Sequence, residues 1–336
     1  MEKKYTLSAV CFGEVLWDIF PTHKKIGGAP LNVSLRMNSI GVNTTMISRI
    51  GDDDNGKDIL SFLNNQEVTT DLIQITGEYK TGAVQVMINE KGNASYDILY
   101  PSAWDKIIET EMMDKVVAEA DAFVFGSLAC RDEVTRATLN KLLEKANYKI
   151  FDVNLRAPYY TIDVLNELML KADFIKLNDE ELREISRELG STYNSFEQNI
   201  KFLAEKTNTK QVCVTKGEFG AVLYSNDKFY YNSGYFIKVV DTVGAGDSFL
   251  ASLIVKLLRG KSPQKALNYA CAIGALVAGQ EGANPQISEK VIRDYMKVEK
   301  KYKNIRPPAT PPLGVGGLIK NQMAYDKFNV LRSSAV

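Results

Sequence analysis

The 336-residue sequence is short of the residues that build common catalytic and metal sites. It contains one histidine, His23, and four cysteines, Cys11, Cys130, Cys213 and Cys271, with no C-x-x-C pair. A zinc site therefore lacks its usual ligands, and a Ser-His-Asp triad would depend on a single imidazole. We expect the cysteines to be buried free thiols, which leaves phosphate chemistry as the class to test.

A basic excess and long apolar runs are also missing. The 41 lysines and arginines balance 41 aspartates and glutamates, whereas proteins that bind nucleic acid phosphates normally carry a basic excess or stripe. No run approaches the roughly 18 apolar residues of a membrane span, and the first five residues show no signal-like segment. We expect a cytoplasmic protein whose partners include neither nucleic acid nor a membrane.

Short apolar, β-branched segments alternate with helical patterns along most of the chain. Strands joined by single helices form right-handed βαβ units on a buried, mainly parallel sheet, so the expected fold class is α/β. The predicted strands are 9–13, 45–50, 122–126, 149–153, 173–177 and 211–215. The predicted helices are 30–40, 56–64, 133–146, 179–188, 195–206, 244–259 and 263–279.

Two segments depart from this alternation. Residues 82–88 and 94–100 flank the turn-rich Asn89-Glu90-Lys91-Gly92, which predicts a β-hairpin. This hairpin is either an edge of the main sheet or a small sheet that covers a site as a lid. The second segment is a meander, with strands predicted at 221–224, 228–231 and 235–239.

The clearest chemical motif is Asp241-Thr242-Val243-Gly244-Ala245-Gly246-Asp247, which follows a strand and opens an apolar helix. Small residues let backbone N–H groups approach an anion, and the helix dipole adds positive potential. Asp247 then lies beside the anion and can accept a proton from a hydroxyl that attacks a phosphoryl group. Alternatively, Asp247 only caps the helix and the glycines only turn the chain.

A second polar cluster follows the strand predicted at 149–153. It contains Asp152, Asn154 and Arg156, and ligands of such sheets bind beyond the carboxyl ends of the strands. These residues are therefore candidates for a site. A plain salt bridge between Asp152 and Arg156 is the alternative interpretation.

The glycine-rich motif at 241–247 resembles the signature of the ribokinase (PfkB) family of carbohydrate kinases. Gly27-Gly28-Ala29-Pro30-x-Asn32-x-Ser34 resembles a second family signature, and Asn178-Asp179-Glu180-Glu181 matches the family's N-x-x-E element. Order and spacing agree from about residue 8 to 300. The resemblance implies a ribokinase-like three-layer sandwich over residues 1–300, with lid strands inserted at about 14–25 and 80–101. We expect residues 301–336 to form an extended or weakly ordered tail.

The resemblance also implies roles for individual residues. Asp247 would be the catalytic base, while Arg156 and the N–H groups of Gly244, Ala245 and Gly246 would stabilise the transferred phosphoryl group. The sugar would be held by Asp18, Gly28, Asn32 and Asn154.

Nucleotide and metal sites follow from the same resemblance. The ATP-binding residues would be Thr215, Gly217, Gly220, Ala270 and Gly274. Asn178 and Glu181 would organise Mg²⁺ through water, and Asp241 would belong to a monovalent-cation site for K⁺. Close helix packing explains the small residues at 270–275 equally well. Without the resemblance, Glu181 would be interpreted as a solvated charge on a helix.

The sequence is most similar to the fructokinase branch of the family, by Gly13-Glu14 and Pro101-Ser102-Ala103. It departs from that branch at Ile98-Leu99-Tyr100, where many members carry an arginine, so Trp104 and its neighbours would present apolar area to the sugar. The predicted reaction is ATP-dependent phosphorylation of the 6-hydroxyl of fructose, by a homodimer that pairs through the lid. The alternatives are a kinase for ribose, 2-keto-3-deoxygluconate, another ketohexose or a nucleoside, a non-catalytic sugar- or nucleotide-binding regulator, and a glycosidase-like relative without ATP turnover.

Overall fold

A computed structural model of the chain describes residues 6–88 and 94–303. The predicted turn at 89–92 and most of the predicted tail lie outside these described residues. The chain divides into one unit that ends at Ile292 and a second that begins at Arg293. The predicted division at residue 300 stays a prediction.

The strands of the described residues form two sheets. The strands are β1 (Ser8–Phe12), β2 (Leu16–Ile19), β3 (Lys24–Gly27), β4 (Asn43–Gly51), β5 (Ile73–Thr76), β6 (Gly82–Ile88), β7 (Ala94–Ile98), β8 (Ala122–Gly126), β9 (Lys149–Asp152), β10 (Phe174–Asn178), β11 (Gln211–Thr215), β12 (Ala221–Ser225) and β13 (Lys228–Asn232). The nine-stranded sheet has the order β13-β12-β11-β10-β9-β8-β1-β4-β5, and only β12 and β13 are antiparallel to their neighbours. The four-stranded sheet has the order β3-β2-β6-β7.

The helices begin where the sequence supplies a capping side chain or a glycine-containing turn. They are α1 (Ala29–Ser39), α2 (Asp54–Asn65), α3 (Glu111–Glu119), α4 (Glu133–Lys145), α5 (Ile162–Lys171), α6 (Asp179–Glu188), α7 (Phe196–Thr207), α8 (Ala245–Leu258), α9 (Pro263–Ala278) and α10 (Glu289–Lys303). Side chains that accept a hydrogen bond from the first turn precede six of them: Asp53, Thr110, Asp132, Thr161, Asn178 and Ser195. No helix within residues 6–88 and 94–303 has the length and apolar character to cross a membrane.

The main sheet is covered on both faces. Along β1, Val10 and Phe12 pack into the core beneath α3, α4, α5, α6 and α7. The alternate residues, Ala9 and Cys11, pack into the core beneath α1, α2, α8 and α9. Because successive side chains of a strand point to opposite faces, this alternation makes a three-layer sandwich. All four cysteines are buried and none forms a disulfide bond, as expected.

The predicted strands and helices are confirmed to within two residues, apart from one strand. Residues 235–239 form no strand; the chain there runs towards the end of α9, where the N–H groups of Val240 and Asp241 donate to the carbonyl of Ala278. The hairpin belongs to the separate four-stranded sheet and is not an edge of the main sheet. The sequence patterns missed β5, α3, α5 and α10, and four-residue strands such as β5 are too short to show a clear period.

A buried ion pair joins the end of β7 to the segment before α4. The guanidinium of Arg131 donates to both carboxylate oxygens of Asp105, at 2.7 and 2.8 Å. It also donates to the carbonyls of Ile98 and Leu99, and it lies 4.1 Å from the ring centroid of Trp104. The side chains of Arg131 and Asp105 are only 3% and 0% exposed, so this network is a buried anchor of the four-stranded sheet.

A variant that lacks one member of this ion pair should unfold more easily than the wild type. We expect Arg131→Met to lower the free energy of unfolding by about 3–5 kcal/mol, since it leaves a buried carboxylate unpaired. Urea titration measures the change. The double variant Asp105→Leu/Arg131→Met removes both charges and should recover most of the loss. Equal destabilisation of the single and double variants would contradict this assignment and point to lost packing on Trp104 instead.

Candidate active site

The candidate site lies where β9 and β10 end and α8 begins. These strands are parallel neighbours, and their register places Asp152 opposite Lys176. The two side chains are buried and form an ion pair, with 2.9 Å between Lys176 Nζ and Asp152 Oδ1. Burial favours the neutral amine, but the carboxylates of Asp152, Glu181 and Asp247 outweigh it and raise the pKa of Lys176. The lysine is therefore a fixed positive charge, and the sequence analysis missed it.

The start of α8 lies against this lysine. A Cβ atom on Gly246 would be 3.4 Å from Lys176 Nζ. The N–H of Ala245 donates to the carbonyl of Thr242 at 3.3 Å, whereas the hydrogen bonds of the described residues include none from the N–H of Gly246. Helix dipole, unpaired N–H and buried ammonium together make this turn attractive to an anion.

Gly244 fixes the entry into α8. Its φ angle is +74°, and a Cβ atom at this position would be 2.5 Å from the Cβ of Ala283. The chain can therefore pass Ala283 and turn into the helix only with glycine here. The glycine allows both the positive φ and the close approach.

Asp247 lies in the first turn of α8, partly buried, and accepts a hydrogen bond from Nδ2 of Asn32 at 2.8 Å. Burial and the nearby Asp152 raise its pKa to about 6, while Lys176, the Asn32 hydrogen bond and Arg156 oppose the rise. At neutral pH the carboxylate is mainly ionised. A carboxylate with this pKa is suited to accept a proton near physiological pH.

Asn32 is buried in α1, and protein groups use both ends of its amide. Its NH₂ donates to Asp247, and its oxygen accepts a hydrogen bond from Nδ2 of Asn284 at 2.9 Å. The resemblance implied a direct contact between Asn32 and the sugar. The contacts of this structure join Asn32 to Asp247, and the sequence analysis gave no signal for Asn284.

The predicted sugar-binding residues of the four-stranded sheet lie close together. The carboxylate of Asp18 on β2 packs beside Gly27 on β3, where a Cβ atom would be 2.5 Å from Asp18 Oδ2. Gly28 has a φ of +118° and passes close to the carbonyl of Glu14. Burial raises the pKa of Asp18, and the charges of Arg156 and Lys25 oppose that rise.

Asn154 and Arg156 follow β9, as the sequence analysis placed them. Asn154 has a left-handed φ of +41°, which asparagine tolerates better than most residues. Arg156 is exposed, and none of the ion pairs between described residues includes it. Asp152 pairs with Lys176, so the alternative of an Asp152–Arg156 salt bridge is wrong. The charge of Arg156 instead acts on Asp18 and Asp247.

Trp104 does not lie at the surface of the site. It is 0% exposed, and its indole N–H edge packs against Gly82 while Arg131 covers its ring. A side chain with no accessible surface cannot contact a ligand. The prediction that Trp104 faces the sugar is therefore wrong. Among the described side chains of this region, Tyr100 exposes its ring, at 57%.

The predicted nucleotide-binding residues fall into two groups. Thr215 ends β11, and Gly217 is exposed with open space around its Cα, so both are accessible to a ligand. Gly220 is buried against the backbone of Asn232. Ala270 is fully buried in the core, which contradicts its prediction as a base contact.

Gly274 is only partly buried and packs on the first turn of α8. A Cβ atom there would be 3.4 Å from the carbonyl of Ala245. This contact favours the helix-packing interpretation of the small residues on α9.

The candidate magnesium ligands form a capping box at the start of α6. Asn178 Oδ1 accepts from the N–H of Glu181 at 2.8 Å, and Glu181 Oε2 accepts from the N–H of Asn178 at 2.7 Å. Glu181 Oε1 accepts from the N–H of Leu155, and the residue is buried, so its interpretation as a solvated charge is wrong. Burial raises the pKa of Glu181, and Lys176 opposes that rise.

The side-chain oxygen atoms of Asn178 and Glu181 fit a magnesium ion held through water. Asp152 Oδ2 is buried without a hydrogen-bond partner beside Glu181. Among the described residues, no group of three His, Cys, Asp or Glu side chains could hold a metal directly. Mg²⁺ prefers oxygen ligands and keeps several of its waters, which suits this arrangement.

Asp241 holds the turn before α8. Its oxygens accept from the N–H groups of Val243 at 3.0 Å and Gly282 at 3.1 Å, and Lys25 Nζ lies 3.9 Å from Oδ2. Both oxygens therefore have backbone donors and one faces an ammonium group. The K⁺ site stays a prediction.

Residues 3–290 match the model of the pfkB family of carbohydrate kinases. The chain belongs to this family. It is therefore a phosphotransferase that acts on a sugar hydroxyl, and both the predicted family and the predicted enzyme class are confirmed.

Curated and structural relatives agree with this assignment. The chain is 28% identical over 308 residues to fructokinase-2 of Solanum habrochaites, covering 83% of this chain and 92% of the relative. Its fold is similar to that of an ATP-bound fructokinase from Xylella fastidiosa, with a TM-score of 0.78 and 22% identity, over 87% of this chain and 99% of the fructokinase. It is also similar to 2-dehydro-3-deoxygluconokinase from Thermotoga maritima, with a TM-score of 0.76 and 22% identity, over 87% of this chain and 99% of that kinase.

The contact between Gly244 and Ala283 allows a matched test. We expect Gly244→Ala to destabilise the protein by more than Gly260→Ala, which lies at the other end of α8. Both glycines have φ near +70°, but Gly260 has open space around it. Gly260→Ala should lower the free energy of unfolding by the conformational strain alone, about 1–2 kcal/mol. Gly244→Ala should lower it by about 1–3 kcal/mol more, because of the clash with Ala283. Equal costs in a denaturant titration would contradict the proposed contact.

Proposed function

We propose that this kinase transfers the γ-phosphoryl group of ATP to a primary hydroxyl of a sugar, most specifically the 6-hydroxyl of fructose. The observation that carries the proposal is the position of the Asp247 carboxylate. It lies in the first turn of α8 and accepts a hydrogen bond from Asn32. The buried ammonium of Lys176 lies close to Gly246 in the same turn.

The proposed chemistry is an in-line displacement with Asp247 as general base. The sugar oxygen attacks the γ-phosphorus while its proton passes to the carboxylate of Asp247. The bond between the γ-phosphorus and the bridging oxygen breaks, and the electron pair leaves with ADP. The products are the sugar phosphate, ADP and one proton, which Asp247 releases to solvent.

Positive groups around α8 stabilise the charge of the transferred group. The N–H groups of the first turn and the helix dipole point at the phosphoryl oxygens. Lys176 supplies a positive charge beneath this turn, and Arg156 supplies one from solvent. A magnesium ion, held through water by Asn178 and Glu181, would screen the phosphate charges of ATP.

Fructose is favoured by the fructokinase relatives. The curated relative from Solanum habrochaites is a fructokinase, and 83% of this chain aligns with it. Asp18 and Arg156 offer one acceptor and one donor group to sugar hydroxyls. The fold is shared with a 2-dehydro-3-deoxygluconokinase, so that substrate is the second candidate.

The four-stranded sheet is proposed as a lid and as the face of a homodimer. The hairpin of β6 and β7 exposes Met87 near its turn and Leu99 and Tyr100 beyond its other end, at 56%, 40% and 57% exposure. Large exposed side chains along a small sheet are typical of a covered surface. Sedimentation analysis with Leu99→Lys tests this pairing, because an introduced charge should shift a dimer towards monomer.

The substrate is tested by ADP release with Mg-ATP against fructose, ribose, mannose, glucose, tagatose, 2-keto-3-deoxygluconate and adenosine. We expect the highest kcat/KM with fructose. Turnover of another member alone would keep the mechanism and overturn the specificity. ATP binding without turnover of any sugar would favour a regulatory protein. The K⁺ prediction at Asp241 is checked in the same assay by exchanging K⁺ for Na⁺.

The role of Asp247 is tested by Asp247→Asn. We expect kcat to fall by about 10²–10⁴-fold, the range typical of a general base. Binding of ATP and sugar, measured by calorimetry, should persist because the amide keeps the size of the carboxyl group. Asp163→Asn is the matched control, since Asp163 also lies in the first turn of a helix. Retention of most activity by Asp247→Asn would contradict the assignment.

A further inference from the structure

The segment after α9 binds the two helices that build the site. The carbonyl of Pro285 accepts from Arg36 on α1 at 3.0 Å, and the N–H of Gly282 donates to Asp241 before α8. Ala283 packs on Gly244 at the start of α8. These contacts hold the next residue, Asn284, in a fixed position between α1 and α8.

Asn284 begins a chain of hydrogen bonds that ends on Asp247. Its Nδ2 donates to Asn32 Oδ1 at 2.9 Å, and Asn32 Nδ2 donates to Asp247 Oδ2 at 2.8 Å. The three residues are more than 200 positions apart in sequence at each step. The Asp247 carboxylate can only accept, so it faces the NH₂ end of the Asn32 amide, and the NH₂ group of Asn284 holds the oxygen end.

The alternative orientation of Asn32 would be unfavourable. Rotating the amide by half a turn would place its oxygen against the carboxylate of Asp247 and its NH₂ against that of Asn284. Each contact would then bring two like groups together, and the carboxylate would lose a charge-assisted hydrogen bond. The Asp247 carboxylate therefore selects the orientation in which Asn32 donates to it, and the donor of Asn284 holds Asn32 in that orientation.

We propose that Asn284 is a positioning residue of the catalytic centre, which acts through Asn32 to hold the Asp247 carboxylate in place for proton transfer. The inference rests on the proposed role of Asp247 as general base. The hydrogen bond of Asn284 is to Asn32, which in turn binds Asp247, so its effect passes through the amide of Asn32.

Other groups also act on Asp247, and the test must separate them from Asn284. Asp152 on β9 raises its pKa, and Lys176 on β10 and Arg156 after β9 lower it. Glu14, which follows β1, also interacts with it electrostatically. None of these four groups is changed by a substitution at residue 284.

Two variants of Asn284 test the hydrogen-bond chain. Asn284→Leu is similar in size but has no donor, and Asn284→Asp replaces the donor by a carboxylate that turns the Asn32 amide around. We expect kcat to fall by about 10-fold in the leucine variant and further in the aspartate variant, with KM for ATP changed less than about twofold. The acid limb of the kcat/KM profile, expected near pH 6 in the wild type, should move up by about one pH unit.

Gln286→Glu is the matched control for added charge. Gln286 is exposed two residues further along the same segment, and a carboxylate there should leave kcat and the pH profile unchanged. Thermal unfolding of each variant shows whether it folds. If the leucine variant does not fold, the aspartate variant still decides, because it keeps the shape and polarity of asparagine.

A measurement without turnover separates this inference from the proposed function. Carbon-13 NMR of the Asp247 carboxyl group, assigned by its loss in Asp247→Asn, follows its titration in wild type and variants. An upward shift of its midpoint supports the hydrogen-bond chain even if no tested sugar is phosphorylated. Unchanged titration and kcat in both variants would overturn the inference. Equal losses of kcat with an unmoved acid limb would also overturn it, because they indicate support of the loop alone.

Discussion

The rest of the site depends on the buried ion pair between Lys176 and Asp152. Three carboxylates, Asp152, Glu181 and Asp247, converge at the ends of β9 and β10 and the start of α8. Burial raises the pKa values of Glu181 and Asp247, and the positive charge of Lys176 opposes both rises. One lysine, fixed by the register of two parallel strands, lets them stay charged beneath a helix start that also attracts anions. Stability and electrostatics therefore rely on the same ammonium group.

Packing around Gly244 links this charge cluster to the rest of the chain. The segment after α9 closes over the turn before α8, and Asp241 and Ala283 fasten it there. Helix α1 reaches the same point through Asn32. The position of one carboxylate is thus set by parts of the chain separated by more than 200 residues.

Sequence reasoning located the strands, the helices and the motif at 241–247, because hydrophobic periodicity and the glycine-rich spacing are local signals. It missed Lys176 because a lysine inside an apolar strand shows nothing of the carboxylate opposite it. It placed Trp104 at the sugar because adjacency to the hairpin suggested exposure, whereas the ring packs beneath Arg131. Asn284 has no motif at all. Its importance appears only when the fold brings it to Asn32.

The surroundings of Arg131 at the end of β7 bear on sugar specificity. Many fructokinase-like sequences carry an arginine before the Pro-Ser-Ala segment, and its absence here suggested a lid without a guanidinium. Arg131 brings a guanidinium to the end of β7 from another part of the chain, but Asp105 and two carbonyls occupy its donors. It therefore stabilises the four-stranded sheet, and its side chain is buried. Among the residues proposed to contact the sugar, Asp18 and Arg156 carry opposite charges, and each can be varied without removing either member of the buried pair beneath α8.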